Sequence, residues 1–267
     1  MAFGLIIIGD EILSGKRQDK HFARIVELLR ARGLSLAWAH IVGDDRAALV
    51  ELLRRTFAGD DVVFCCGGIG ATPDDHTRQA AAAALGLPLA LHPEAAALIT
   101  ARVAEMAAQG QGSADMNVPD NRQRLKMGEF PAGAEIIPNP FNRIPGFRIR
   151  HHWFVPGFPV MAWPMLETVL DTHYRHLFHR ESAGDRSMIV HGLAESTITP
   201  LMESVERDFP MIRVYSLPSV GRDGGRRHIE LGVKGDRVSL QTAFERLRDG
   251  VLALGGELGE ESGGARG

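Results

Sequence analysis

The stretch Cys65–Thr77, with the sequence CCGGIGATPDDHT, constrains the fold and chemistry of this chain more than any other. It follows Asp60–Phe64, where a short apolar run predicts a buried strand. It precedes Arg78–Leu87, where five consecutive alanines predict a helix that ends at Gly86. Glycines between a strand and a helix let the backbone turn tightly and direct its N–H groups toward an anion.

The candidate ligand-binding residues of this stretch are three glycines, two threonines and two aspartates: Gly67, Gly68, Gly70, Thr72, Thr77, Asp74 and Asp75. The hydroxyls can donate to a phosphate, whereas the carboxylates repel one unless a cation lies between them. Mg²⁺ commonly lies there, bound by one or two carboxylates and by phosphate oxygens. The simpler interpretation is a strand–turn–helix connection, in which Thr72 or Asp74 caps the helix and Pro73 begins it. The spacing alone leaves both interpretations open.

The pattern Gly-Gly-x-Gly-x-Thr-x-Asp-Asp-x-Thr in this stretch resembles the signature of the molybdenum-cofactor biosynthesis (MoCF) family of molybdopterin-binding domains. The similarity is greatest to the branch that forms the N-terminal part of the competence/damage-inducible protein CinA. Five further motifs of that branch occur in the expected order: Gly9–Gly15, Val42–Asp45, Pro131–Ala134, Pro145–Phe147 and Pro156–Pro159. Together the motifs extend the resemblance over roughly residues 3–175.

The resemblance implies a three-layer α/β fold that binds a pterin phosphate or a nucleotide against the glycine loop. In relatives that handle molybdopterin, the functionally important acids match Asp44 and Asp75 here, and the CinA branch is associated with metal-dependent hydrolysis of ADP-ribose. The sequence departs from the family at Asp19–His21, Ala71 and Phe141–Ile144, so the resemblance leaves the ligand open. The deamidase domain of full-length CinA proteins has no counterpart in these 267 residues, so deamidation is not expected.

Apolar segments alternate with helical patterns through the first part of the chain. Phe3–Ile8 is continuously apolar, as a strand buried on both faces should be, and Leu34–Val42 predicts a second strand. Strand–helix alternation favours right-handed crossovers and a mostly parallel sheet covered by helices on both faces. We therefore predict an α/β domain over residues 1–178.

The order of elements changes to βαββα after a polar linker at Arg180–Asp185. This order predicts a second, small α+β domain over residues 186–256, similar to KH modules in element order. The G-x-x-G loop of those modules is not evident, and the basic loop Gly221–Arg227 is more simply a hairpin connection. Residues 257–267 are rich in Gly and Glu and are predicted to be a disordered tail.

Composition narrows the class of protein. The chain is 45% hydrophobic and 24% charged, which is typical of a soluble globular protein. Its net charge of −3 argues against a general nucleic-acid binder, which needs clustered Lys and Arg. Two adjacent cysteines suit a buried strand better than a disulfide or a metal site, which favours the reducing cytoplasm. The apolar N-terminus lacks a basic region and is followed at once by Asp10 and Glu11, so we predict a first strand there and not a signal peptide. No apolar run approaches the roughly 20 residues of a membrane span.

Four clusters of candidate residues directly follow predicted strands: Gly9–Glu11, Asp44–Asp45, Gly67–Thr77 and Pro156–Pro159. The carboxyl ends of parallel strands meet at one edge of a sheet, so these clusters should form one site. This adds Asp10, Pro156 and Gly157 to the candidate ligand contacts. The site would contain up to six carboxylates, which cannot all be ionised in one cleft without a cation or raised pKa values. A divalent cation and a phosphorylated ligand resolve this conflict.

Two functions fit such a site. The first is a hydrolase that cleaves a nucleotide pyrophosphate such as ADP-ribose. In it, Asp74 and Asp75 bind Mg²⁺ or Co²⁺, and Asp44 or Glu11 orients or deprotonates the attacking water. The second is a non-catalytic module that binds molybdopterin in molybdenum-cofactor metabolism. We also predict a homo-oligomer, a dimer or a trimer, because the small domain offers edge strands and family relatives associate.

Overall fold

A computed structural model describes residues 1–179, 183–219 and 226–262 of the chain. Its internal contacts divide the chain into two compact units, residues 1–179 and 180–267. The first unit ends one residue beyond the α/β domain predicted over residues 1–178. Of the predicted linker, residues 180–182 lie outside the described part, and a strand already begins at Ala183.

The first unit is built on a six-stranded sheet and a separate two-stranded pair. Its strands are β1 (Phe3–Ile8), β2 (Leu36–Val42), β3 (Val62–Cys66), β4 (Leu89–Leu91), β5 (Glu129–Pro131), β6 (Glu135–Ile137), β7 (Gly146–Ile149) and β8 (His152–Val155). The large sheet has the order β2-β1-β3-β8-β7-β6, and β4 pairs with β5. Strands β2, β1, β3 and β8 run parallel to one another, whereas β7 and β6 run antiparallel to their neighbours. The predicted mostly parallel sheet is confirmed.

Helices cover both faces of this sheet. They are α1 (Asp10–Leu13), α2 (His21–Arg30), α3 (Arg46–Phe57), α4 (Thr77–Leu85), α5 (Pro93–Ala108), α6 (Pro119–Leu125) and α7 (Pro159–His173). Side chains of β1 alternate between two apolar clusters: Leu5 and Ile7 pack with α2 and α7, whereas Ile6 and Ile8 pack with α3 and α4. Burial of one strand on both faces explains its continuous apolar sequence and gives the predicted three layers.

The parallel strands β1, β2, β3 and β8 are neighbours in the sheet, so their carboxyl ends lie along one edge. Gly9, Gly43, Gly67 and Pro156 are the first residues beyond these ends. The sheet topology thus places the four predicted clusters at the same edge, in the crevice where open parallel sheets bind ligands.

The second unit contains one antiparallel sheet with two helices. Its elements are β9 (Ala183–His191), α8 (Glu195–Asp208), β10 (Ile212–Ser219), β11 (His228–Asp236), α9 (Arg237–Ala253) and β12 (Glu257–Ser262). The sheet order is β10-β11-β9-β12, and α8 and α9 bury their apolar sides against it. Most of the basic loop Gly221–Arg227 lies outside the described residues, but β10 and β11 on either side of it pair as a hairpin should.

The predicted disordered tail over residues 257–267 is wrong for residues 257–262, which form β12 against β9. Composition misleads here because β9 has a free edge that satisfies the backbone of the last segment. Leu258 packs against the core, and two acids of the segment form ion pairs, Glu257 with Arg226 at 2.6 Å and Glu261 with Arg186 at 3.4 Å. The last five residues lie outside the described part.

No helix within the described residues has the length and apolar character needed to cross a membrane.

Candidate functional site

A cavity of about 540 Å³ opens at the carboxyl edge of the large sheet, a size typical of sites for small molecules. Ten of the twelve predicted site residues line it: Glu11, Asp44, Gly67, Gly68, Gly70, Thr72, Asp74, Asp75, Pro156 and Gly157. The fold therefore brings together residues from four separate strand ends, as the sequence predicts.

The other two predicted residues, Asp10 and Thr77, do not line the cavity but hydrogen-bond to residues that do. Asp10 and Asp44 exchange hydrogen bonds: the N–H of Asp10 donates to Asp44 Oδ2 at 2.9 Å, and the N–H of Asp44 donates to Asp10 Oδ1 at 3.2 Å. Thr77 is fully buried, and its Oγ1 donates to the carbonyl of Gly67 at 3.0 Å. Its hydroxyl is committed to the loop, which corrects the expectation that it donates to a ligand.

The carbonyl groups of the glycine loop are turned toward donors of the protein. Besides the Thr77 hydroxyl, the N–H of Thr77 donates to the carbonyl of Gly68 at 3.0 Å. The buried Arg78 guanidinium donates from Nη2 to the carbonyl of Gly70 at 2.6 Å and from Nη1 to the carbonyl of Lys126. Gln123 Nε2 donates to the carbonyl of Ala71 at 2.6 Å. Helices α4 and α6 and the turn after α6 thereby fix the loop from one side.

In contrast to the carbonyls, four N–H groups of the same loop have no hydrogen-bond partner in the described part of the protein. Within the described residues, no hydrogen bond uses the N–H of Gly68, Ile69, Gly70 or Ala71, although these residues line the cavity. Backbone N–H groups inside a protein are almost always paired. Successive backbone N–H groups without protein partners are a recurring feature of anion-binding turns, and these four belong to residues that line the cavity.

None of the three glycines of the loop can be replaced without a steric conflict, and at Gly68, which has φ +66°, the conflict is with Thr77 Oγ1. Gly67 has φ +115°, and a Cβ there would lie 2.3 Å from the carbonyl oxygen of Ile8. A Cβ at Gly70 would lie 2.5 Å from Asp75 Oδ2. The glycine pattern is thus required by the close approach of the loop to β1 and to its own aspartate.

The two adjacent aspartates of the loop are used differently. Asp75 Oδ2 accepts two hydrogen bonds from Thr72, at 2.8 Å from its N–H and at 2.5 Å from its hydroxyl, so it closes the turn. Asp74 is exposed beside the cavity, and the neighbouring Thr72 hydroxyl and its own backbone N–H lower its pKa. At neutral pH Asp74 presents a charged carboxylate to the cavity.

Carboxylates from three strand ends interact electrostatically. The pKa of Asp44 is raised, chiefly by burial and further by repulsion from Asp10, Glu11 and Asp74, although the hydrogen bond from the Asp10 N–H opposes the rise. A raised pKa in a cluster of acids makes Asp44 a stronger base than an isolated aspartate. Repulsion of this kind also favours binding of a cation.

The described residues contain no group of three His, Cys, Asp or Glu side chains arranged to enclose a metal ion. The donor set fits a different kind of site, because Mg²⁺ commonly takes only one or two protein carboxylates and completes its shell with phosphate oxygens and water. Asp74 and the Oδ1 atom of Asp75, which the loop does not use, are the oxygens available beside the unpaired N–H groups.

Sequence reasoning missed several lining residues. Arg17 contributes the only cationic side chain on the wall of this cavity as described, and its guanidinium has no partner among the described residues. The apolar side of the cavity comes from Met127, Ile144, Pro145, Phe158 and Met161. The sequence offers a weak signal for Arg17, its position shortly after the Gly9–Gly15 motif, and its motifs include Pro145 and Phe158. It gives no signal for Met127 or Met161.

Two asparagines shape the far wall of the cavity and were also missed. Asn139 is buried and donates from Nδ2 to Asn142 Oδ1 at 2.8 Å and to the carbonyl of Ile144 at 3.0 Å. Asn142 Oδ1 also accepts from the N–H of Ile144 at 3.0 Å. These bonds fix the loop at Phe141–Ile144, where the sequence departs from the family pattern.

Comparison with known proteins agrees with this architecture. Residues 4–176 match the family model described as "Probable molybdopterin binding domain". A CinA-like protein of Koribacter versatilis is 33% identical over 265 residues, which cover 96% of this chain and 59% of the relative. A CinA-like protein of Geobacter metallireducens is 32% identical and aligns with 80% of this chain and 51% of its own length. The chain thus spans little more than half the length of these curated relatives.

One relative matches nearly the whole chain, and one solved structure matches about two thirds of it. A protein of Aeropyrum pernix is 28% identical, with 96% of each chain aligned. The crystal structure of the protein CinA with unknown function from Thermoplasma acidophilum is similar with a TM-score of 0.53 and 26% identity. The match covers 64% of this chain and 97% of that chain.

Proposed function

Because the chain belongs to the family of probable molybdopterin-binding domains, we propose that it binds a phosphorylated pterin or nucleotide in the cavity beside the glycine loop. We further propose that it uses a divalent metal ion to hydrolyse a nucleotide pyrophosphate such as ADP-ribose. The CinA-like relatives support the assignment to this branch, and the carboxylates around the cavity support the hydrolysis.

The observation that carries this proposal is the set of unpaired N–H groups at Gly68, Ile69, Gly70 and Ala71. They belong to residues that line a cavity large enough for a nucleotide, and hydrogen bonds to the loop carbonyls, such as that from Arg78 to Gly70, fix the loop. A phosphate would accept hydrogen bonds from these donors without any change in the loop, so its binding requires no ordering of the backbone.

The acids beside the loop give the catalytic part of the proposal its chemistry. A divalent ion held by Asp74 and Asp75 would neutralise charge on the two phosphates. Asp44, with its raised pKa, or Glu11 accepts the proton of a water molecule as the water oxygen attacks phosphorus. The bond from that phosphorus to the bridging oxygen breaks, and ADP-ribose gives AMP and ribose 5-phosphate.

A second function is favoured by the way Asp75 is used. Its Oδ2 atom closes the loop, and the described residues enclose no metal site by themselves, so the cavity is equally complete as a binding site. In this function the chain binds a molybdopterin phosphate on the same N–H groups and does not cleave it. The apolar side of the cavity, with Phe158 and Met161, suits a flat ring system.

Binding and turnover measured on the same protein separate the two functions. We expect calorimetry to detect AMP and ADP-ribose binding, and we expect release of AMP from ADP-ribose only when Mg²⁺ or Co²⁺ is added. Binding of a pterin phosphate without cleavage of ADP-ribose under any metal would reject the hydrolase and leave the binding module. Failure to bind any of these phosphorylated probes would reject both.

The variant Asp74→Asn tests the metal directly, because it removes the exposed carboxylate and keeps the shape. Loss of such an electrostatic stabiliser typically lowers a rate by about 10²–10³. The matched control is Asp60→Asn, an exposed aspartate between α3 and β3 that does not line the cavity. Equal turnover by both variants would show that Asp74 does not bind the metal ion.

A further inference from the structure

The two larger sheets of the described structure end in four edge strands, β2 and β6 in the first unit and β10 and β12 in the second. Three of them have features that oppose pairing with another chain. Strand β6 has only three residues and an exposed acid, Glu135, β10 contains Arg213 and Pro218, and β12 contains Glu257 and Glu261. Strand β2 lacks such protection, because its seven residues, LAWAHIV, include no proline and no Lys, Arg, Asp or Glu.

The backbone of β2 is paired on one side only within the described residues. It forms a parallel ladder with β1, and the carbonyl of Val42 accepts from the N–H of Gly9 on that side. Backbone groups alternate in direction along a strand, so the N–H and C=O groups of Ala39 and Ile41 point away from β1. Both residues and His40 between them are exposed. Such an edge is a template for an added strand.

Exposed apolar side chains adjoin this edge on the face of the sheet that α2 covers. Ile41 is 49% exposed and lies on that face, because its partner residue on β1 packs in the apolar cluster that contains α2. On one flank of α2, Arg24 donates to Glu167 of α7 at 3.3 Å. Successive helical residues turn by about 100°, so Phe22 and Val26 occupy the opposite flank, toward β2, which α2 also contacts. Both are exposed, which leaves an apolar strip beside the free edge.

The charges along α2 suit a second copy of the chain placed antiparallel to the first. Asp19 lies just before the helix, Phe22 and Val26 follow on the flank described above, and Arg30 ends the helix one turn later. Arg30 is exposed and has no ion pair among the described residues. A two-fold axis that makes two β2 strands antiparallel keeps both α2 helices on one face and reverses their direction. Asp19 of one copy is then directed toward Arg30 of the second copy, and the apolar strips meet between them.

We infer that the β2 edge is an interface between two copies of this chain, in which two β2 strands pair antiparallel and join the large sheets into one. The outward backbone groups of Ala39 and Ile41 supply the hydrogen bonds. Each copy uses the same surface, so the contact closes as a dimer. The inference does not depend on the proposed ligand. It assigns the association predicted from the sequence to the large sheet, and not to the protected edges of the small unit.

Two variants and a matched control test this interface by sedimentation velocity of the full chain at about 1 to 100 μM, the range of moderate affinities. Ala39→Pro removes an outward N–H and leaves the ladder with β1 intact, as edge strands allow. Ile41→Lys places two like charges close together at the contact. The control is Leu217→Lys, a 56% exposed position on β10, the edge strand of the other sheet.

We expect the wild-type protein to sediment at twice the chain mass of 29.1 kDa. Ile41→Lys should raise the dissociation constant of the dimer by about 10²-fold or more, because like charges opposed in an interface are strongly unfavourable. Ala39→Pro should also shift the protein toward the monomer, since a strand contact without its backbone donor is lost. Leu217→Lys should remain a dimer. Far-UV circular dichroism confirms that each variant is folded, and Ala39→Pro decides the matter if Ile41→Lys does not fold.

Three results would overturn the inference. A wild-type protein that sediments as a monomer at the highest concentration, or as a trimer, has no isologous β2 contact. A folded Ala39→Pro variant that stays fully dimeric excludes backbone pairing at this edge. Dissociation by Leu217→Lys but not by Ile41→Lys assigns the interface to the small unit. None of these results concerns AMP binding, so failure of the interface is distinct from failure of the proposed function.

Discussion

The glycine loop after β3 and the acidic turns after β1 and β2 lie at the same edge of the sheet and are stabilised in opposite ways. In the loop, the carbonyls of Gly67, Gly68, Gly70 and Ala71 accept from protein donors, whereas the N–H groups of residues 68–71 have no partner among the described residues. In the acidic turns, Asp10 and Asp44 hydrogen-bond each other's backbone although their carboxylates repel each other. One region presents donors for an anion, and the other presents charge for a cation.

This difference shows that carboxylates at this sheet edge perform two tasks, holding the backbone in place and offering oxygens to a cation. Asp75, Asp10 and Asp44 each direct one carboxylate oxygen at a backbone N–H group and so maintain the shape of the site. Glu11 and the Oδ1 atom of Asp44 accept no hydrogen bond among the described residues, and Asp74 is exposed, so oxygens of these three side chains are available to a cation or to water. Three variants test this division, from the largest expected effect to the smallest.

The largest effect is expected from Gly70→Val. Its Cβ would lie 2.5 Å from Asp75 Oδ2, so the Asp75 carboxylate must move and the two hydrogen bonds with Thr72 that close the turn are lost. We expect binding of AMP to fall by about 10²-fold or more, the loss typical of preorganised donors. Calorimetry with AMP measures it.

Gly59→Val is the matched control for that loss. Gly59 lies outside the cavity, and the nearest atom to its Cβ would be 3.7 Å away, so binding should be unchanged. Normal affinity in Gly70→Val would show that the loop donors do not bind the phosphate.

An intermediate effect is expected from Asp75→Asn. Asparagine can still accept from Thr72, but hydrogen bonds to a charged group are stronger, so we expect a loss of about 1 kcal/mol in the free energy of unfolding. In a unit of this size that lowers Tm by roughly 2–4 °C, and turnover should fall as well.

Asp74→Asn provides the contrast to Asp75→Asn, because Asp74 does not close the loop. It should lower turnover without a comparable change in Tm. A melt that gives the two variants the same Tm would contradict the assignment of Asp75 to the loop and of Asp74 to the cation.

The smallest effect is expected from Asp44→Asn. The folded state raises the pKa of Asp44 above 3.8, so its ionised form destabilises the fold at every pH above the raised value. Neutralisation should therefore increase Tm slightly at pH 7 in the absence of metal. As the pH falls through the raised pKa toward 3.8, the wild-type carboxyl also becomes protonated and the difference should vanish.

Melts of both proteins between pH 3.5 and pH 8 measure this dependence. A lower Tm for Asp44→Asn at neutral pH would mean that its charge stabilises the backbone of Asp10 more than the neighbouring acids repel it. The acidic turns would then resemble the glycine loop, and the comparison between the two regions would fail.

Much of the fold and of the site could be predicted from the sequence, because the relevant signals are local. The apolar runs Phe3–Ile8 and Val62–Cys66 indicate buried strands, and their parallel order requires the following turns to meet. The same reasoning could not separate Thr77 and Asp10, which support the site, from the residues that line it. That distinction depends on the direction of single side chains.

Other features depended on contacts between distant segments. Composition predicted a disordered tail where Glu257–Ser262 pairs with β9, because a free strand edge is invisible in the sequence of the segment that covers it. The places of Arg17, Met127 and Met161 on the wall of the cavity follow from the packing of distant segments at the sheet edge.

The sequence by itself determined the alternation of strands and helices, the glycine loop and the order of the acids, since each follows from residue spacing and from backbone restrictions at glycine. Only the tertiary structure decided which carboxylates close turns and which remain free. It also decided that the loop carbonyls pair with Thr77, Arg78 and Gln123 and leave the N–H groups open. The physical reason is that hydrogen bonds and charge repulsion act over a few ångströms between atoms, and the fold alone sets those distances.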